Sequence, residues 1–85
     1  MKDYNLLKTW QPTDEQGFED LFHEFNEDLD TGTYWFGNTL EELVGELEYQ
    51  GFEFDDLVQY TKNRYGTVLE IIEYKSSFYA FIGSN

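Results

Sequence analysis

Cysteine is absent from this 85-residue chain, which excludes both a disulfide framework and a thiolate metal site. Long apolar runs are absent too: none approaches the roughly 20 residues needed to span a bilayer, and the N-terminus has no signal-peptide apolar core. Those two absences predict a soluble, cytoplasmic protein. Basic residues are scarce, with five Lys and Arg against 18 Asp and Glu and a net charge of −13. Direct binding of nucleic acid or of an anionic membrane is therefore disfavoured, because both require positive charge. Only one histidine is present, His23.

The scarcity of positive charge is local. Residues 14–56 hold 15 of the 18 acids and neither Lys nor Arg, while Lys2, Lys8, Lys62, Arg64 and Lys75 lie outside. Acidity adopted for salt tolerance would spread along the chain; here both ends are near neutral. A field concentrated in this way bears on partners more than on fold. Seventeen aromatics, eight Phe, seven Tyr and two Trp, supply a core that few aliphatics could, and argue against the disorder that the charge alone suggests. Length and composition predict one acidic domain over residues 1–85.

Tyr4, Leu6 and Trp10 fall at even spacing, which predicts a strand over residues 4–10 closed by Pro12. Thr13 and Gln16 predict a capping box. Phe18, Leu21, Phe22, Phe25 and Leu29 then trace one face of a helix stopped by Gly32. Thr33–Phe36 predicts a second strand. Thr39 and Glu42 form another capping box, ahead of a helix with Leu40, Leu43, Val44 and Leu47 inward and Gly51 at its end. A third helix is expected from an Asp55 cap, with Leu57, Val58, Thr61 and Tyr65 inward and Gly66 as its stop. Local pattern leaves Phe52–Phe54 open between strand and loop. Thr67–Tyr74 and Phe78–Ile82 predict a hairpin turning at Lys75-Ser76-Ser77. The expected fold is α+β, in the order β-α-β-α-α-β-β, with two to three amphipathic helices packed on one face of a small sheet.

On the first helix the apolar stripe leaves Glu19, Asp20, His23, Glu24, Glu27 and Asp28 outward. Regular α-geometry puts Asp20, Glu24 and Asp28 in a row about 6 Å apart. Phosphates of one nucleic-acid strand advance about 3.4 Å along the axis, of order 6–7 Å through space. Glu41, Glu42, Glu46 and Glu48 make a second acidic surface, and Glu53, Asp55 and Asp56 a third. Like charges at i, i+4 cost about 0.2–0.5 kcal/mol each. A chain selected for stability alone would interleave lysines. Tyr34, Trp35, Tyr49 and Tyr60 are the candidates for exposed aromatic contacts, with core packing the competing role for each.

Other chemistry finds no support. Glu19, His23 and Glu27 form one row with no further metal ligand in view. Counted from Asp28, Asp28-Leu-Asp30-Thr-Gly32 leads to Thr33 at the sixth position and Thr39 at the twelfth, where a calcium loop needs Gly and Glu. There is no nucleophile motif, no phosphate-cradling loop and no pocket to set a carboxylate pKa. No enzyme activity and no cofactor are expected.

Tyr34-Trp35-Phe36-Gly37-Asn38-Thr39-Leu40-Glu41-Glu42-Leu43 resembles the barstar family of ribonuclease inhibitors, which present an acidic helix after an aromatic-Gly-Asn-Leu segment. The resemblance covers about a third of the chain. It places Glu41 on one inhibitory acid of that family and Gly45 on another, a departure at a functional position. The C-terminal hairpin departs as well from the helix-rich second half of the family.

These readings converge on a non-enzymatic inhibitor that mimics the phosphate backbone and blocks the DNA- or RNA-binding surface of a basic host protein. In kind, the chain is similar to the small acidic proteins that phages and mobile elements direct against host nucleic-acid enzymes, such as anti-CRISPR and anti-restriction proteins. Asp20, Glu24, Glu27 and Asp28 are the foremost contact candidates, then Glu41, Glu42 and Glu46, with Glu19, Asp55 and Asp56 beside them. The expected partner is a basic nucleic-acid-binding protein or nuclease, met by a monomer or small homo-oligomer. The alternatives are an immunity protein that plugs a nuclease toxin, an acidic scaffold subunit, and a merely solvated surface.

Overall fold

The computed structural model describes residues 3–7, 9–28 and 34–84. They form strand β1 (Thr9–Pro12), helix α1 (Glu15–His23), a π-helical turn (Glu24–Asp28), strand β2 (Tyr34–Gly37), helices α2 (Leu40–Tyr49) and α3 (Phe54–Tyr60), and strands β3 (Thr67–Tyr74) and β4 (Ser77–Ser84). The order is the expected one, and the class is α+β. The sheet runs β1-β3-β4-β2. β3, β4 and β2 pair antiparallel, and β1 adds parallel to β3.

The central β3–β4 hairpin divides the interior in two, because successive strand residues point to opposite faces. Leu69 and Ile71 of β3 and Ala80 and Ile82 of β4 join Leu43, Val44, Leu47 and Leu57 in an aliphatic core under α2 and α3. Ile72 and Phe81 join Phe25 on the other face, with Phe18, Leu21, Tyr34, Val68, Tyr74 and Tyr79 packed around them. The helices are thus not confined to one face as expected: α2 and α3 share one, and α1 covers the other, because both faces of the hairpin are apolar. Phe18 stands at the centre of the α1 side: its ring lies 4.9 Å from Tyr74, 5.0 Å from Tyr79, and 5.5 Å from both Tyr34 and Phe81. Each such pair contributes about 0.5–1.5 kcal/mol beyond its buried area.

Several local expectations need correction. Tyr4–Leu6 is a 3-10 turn rather than strand, because the Asp3 carboxylate accepts from the Asn5 backbone N–H at 3.0 Å and caps it. Leu7 is buried in consequence, while Leu6 is exposed. The first strand is displaced to Thr9–Pro12, on the sheet edge, where a proline without an N–H is tolerated. The α1 cap is Asp14, accepting from Gly17 N–H at 2.8 Å, instead of Thr13; the Gln16 amide turns to Asp20 instead. Helix α3 starts two residues early, with Glu53 at the cap position in place of Asp55 and Phe54 as its first residue, so Phe52–Phe54 is no strand. It also stops at Tyr60, which leaves Tyr65 beyond it and exposed rather than inward. Leu29, Gly32 and Thr33 lie outside the described residues.

The second capping box forms as expected at Thr39, whose hydroxyl accepts from Glu42 N–H at 3.1 Å, although Glu42 reaches back to Asn38 N–H rather than to Thr39. Gly51, at φ 104°, closes α2 with paired bonds from Gly51 N–H to the Glu48 carbonyl and from Phe52 N–H to that of Leu47. Gly37 is needed for closeness instead: a Cβ there would meet the Leu43 backbone nitrogen at 2.6 Å, where α2 lies against β2.

The hairpin turns on Lys75 and Ser76 alone, both at positive φ, 51° and 64°. That is the two-residue turn whose twist suits a hairpin, built from residues that pay strain to enter it. Ser76→Gly is expected to raise the urea midpoint by an amount equivalent to about 1 kcal/mol, with the m-value unchanged. Gly37→Ala is expected to lower stability by about 1–3 kcal/mol in the same measurement.

Candidate functional site: two acidic surfaces on opposite sides of the sheet

Asp14 and Glu15 begin α1 where the helix dipole favours negative charge. The inward positions of this helix go to the aromatic core, so Glu19, Asp20, His23 and Glu24 are left exposed. The helix then changes pitch. Residues 24–28 form a wider, i→i+5 turn, and the Asn26 side chain donates to the Phe22 carbonyl at 2.7 Å, the acceptor that an α-helix would pair with the Asn26 backbone N–H. The straight row expected from Asp20 through Glu24 to Asp28 is therefore not continued in α-helical register. The turn carries Glu27, which is exposed, to 3.7 Å from His23 Nδ1. The side chain of Asp28 lies outside the described residues, as does Asp30.

On the opposite side of the sheet, Glu41, Glu42 and Glu46 are exposed on α2, and Glu48 is half-buried. Asp55 and Asp56 are exposed in the first turn of α3, beside Glu53. The predicted site residues are thus not brought together. Glu19, Asp20, Glu24 and Glu27 form one surface, and the α2 and α3 acids form a second that faces the other way. One flat partner surface can engage only one of them.

The carboxylates differ in how far they are already committed. Asp20 accepts from Gln16 Nε2 at 2.9 Å, Glu42 from Asn38 N–H at 3.0 Å, and Glu46 from Gln50 Nε2 at 3.3 Å. Glu19, Glu24, Glu41, Asp55 and Asp56 accept no hydrogen bond from a side chain or cap group of another described residue, and none lies within ion-pair distance of a described Lys or Arg. Acids also occupy the last turn of α2, at Glu46 and Glu48, with no basic residue there to meet the negative end of the dipole. Among the described residues no three of His, Asp and Glu come close enough to hold a metal ion. Gly45, aligned by the barstar resemblance with an inhibitory acid, is exposed with open space around it, so that position carries no charge.

Of the four aromatics proposed as surface contacts, Tyr49 is 86% exposed, and Tyr34, Trp35 and Tyr60 are half-buried. Sequence reasoning missed Phe36, 59% exposed on β2, and Phe22, 38% exposed on α1. Alternation along β2 puts Phe36 on the face of Tyr34, which packs under α1, so pattern alone carried no signal of its exposure. No helix among the described residues is long and apolar enough to cross a membrane.

The like-charged pairs Asp20–Glu24 and Glu42–Glu46 at i, i+4 make a salt prediction. Raising NaCl from about 10 mM to about 150 mM is expected to increase folding stability by about 0.5–1 kcal/mol, read from urea midpoints. A decrease would mean that attractive pairs dominate the surface.

Comparison of the chain with protein-family models, with curated proteins and with solved structures finds no match.

Proposed function

We propose that this protein is a non-enzymatic inhibitor whose acidic α1 surface occupies the nucleic-acid-binding surface of a basic protein. One observation carries the reading: Glu19, Asp20, Glu24 and Glu27 stand exposed on an aromatic-packed helix and its π turn, with no described Lys or Arg within ion-pair distance of them. A solvated surface has no need of that arrangement, and it costs stability at each like-charged pair. A basic groove would gain from it in two ways. The carboxylates replace phosphates as counter-charges and release the ions held there, and the field accelerates encounter. Aromatic packing beneath the helix fixes the backbone that carries the carboxylates, so binding has only their side-chain rotamers to order.

The α2 and α3 acids, facing away, add to the long-range field without entering the same contact. The protein therefore acts by steric and electrostatic occupation, with no bond made or broken. The partner class is a nuclease or another basic nucleic-acid-binding protein, of the kind that anti-CRISPR and anti-restriction proteins oppose.

The test is capture of partners from host lysate on the immobilised protein, eluted in salt steps and challenged with duplex DNA. A basic nucleic-acid enzyme released by salt and displaced by DNA is the expected outcome. The triple variant Asp20→Asn, Glu24→Gln, Glu27→Gln should lose at least about tenfold in affinity for that enzyme, while remaining folded. Undiminished affinity in this variant, or a partner that ignores DNA, rules out the α1 surface as a phosphate mimic.

A further inference from the structure

Strand β2 supplies a feature that the proposed function leaves unused. It is the last strand of the order β1-β3-β4-β2, so among the described residues its outer edge pairs with no strand. The opposite edge, β1, ends on Pro12, which has no N–H to offer. β2 reads Tyr34-Trp35-Phe36-Gly37, without proline and without the lysine that commonly guards an edge. Beside it lies an open cleft of about 360 Å³ lined by Tyr34, Trp35, Phe36 and Glu46. Side chains of consecutive strand residues point to opposite faces. A cleft touched by three in a row must therefore run along the edge of the strand, where a further strand would lie. Phe36 stacks on Tyr79 at 5.8 Å yet remains 59% exposed, and Glu46 brings a carboxylate from α2 to the cleft.

We propose that this cleft receives an extended, positively charged segment of another protein, which adds to β2 as a fifth strand. Main-chain hydrogen bonds would supply affinity, and side chains at alternate positions would supply selectivity. A Lys or Arg of the segment meets Glu46 on the α2 side, while the residues that alternate with it point to the other face and pack on the ring of Phe36. Charge selects this occupant over the obvious competitor. Two copies joined edge to edge would each bring a net charge of −13, and that repulsion opposes self-pairing. The inference shares with the proposed function the premise of a basic partner, and places a contact on a different part of the surface.

The test is NMR titration of the isotope-labelled chain with three synthetic octapeptides: alternating Lys and Val, the same peptide N-methylated at alternate residues, and alternating Glu and Val. The Lys–Val peptide is expected to shift the amides of residues 34–37 most. N-methylation and the exposed substitution Glu46→Lys should each weaken binding at least tenfold, and the Glu–Val peptide should not bind. The Asp20→Asn, Glu24→Gln, Glu27→Gln variant should still bind the Lys–Val peptide at β2, which separates this test from that of the α1 surface. Four results would overturn the proposal: no shift at residues 34–37 at about 1 mM peptide, shifts confined to α1, indifference to N-methylation, or concentration-dependent dimerisation through β2.

Discussion

The two-sidedness of the β3–β4 hairpin is the constraint on which the rest of the structure depends. Its register pairs Leu69 with Ile82 and Ile71 with Ala80 on one face, and Ile72 with Tyr79 on the other. Because both faces are apolar, both must be covered, and a single layer of helices cannot do it. Helices α2 and α3 close the aliphatic side, and α1 with its π turn closes the aromatic side. The division of labour follows from the residues available. Leu, Val and Ile interdigitate under two short helices, whereas one helix covering a whole face needs the larger area of Phe and Tyr rings.

The same layering decides where the charge goes. Each helix turns its apolar stripe to the sheet, so its acids point outward, and outward means opposite directions for α1 and for α2 and α3. The linear acidic stretch of the sequence is consequently split into two surfaces with the sheet between them. The contact proposed for α1 is thereby separated from the α2 and α3 acids, while the field of the whole molecule still acts at long range. The aromatic packing behind α1 gives its carboxylates a firm base. The sheet edge at β2 offers a third kind of surface, backbone and ring with the single carboxylate of Glu46.

Much of the architecture was legible beforehand because it rests on periodicity. The α2 stripe, the Thr39 cap, the Gly51 stop and the β3–β4 hairpin are local signals, and each holds in the structure. Three of the misplacements occur where a short polar side chain captured a backbone group: Asp3 on Asn5, Asp14 on Gly17 and Asn26 on Phe22. These bonds are worth about as much as the propensities they compete with, so pattern alone does not rank them. Tyr65 was read inward on a helical spacing that the chain abandons at Thr61.

The amino-acid sequence by itself determined the class of the fold, the order of its elements and the localisation of charge in residues 14–56, since these depend only on which residues neighbour one another along the chain. Only the tertiary structure decided that the acids fall on two opposed surfaces, that Phe36 stands exposed, and that β2 ends the sheet. Those outcomes depend on which strand lies beside which, a long-range choice set by burying both faces of one hairpin at once.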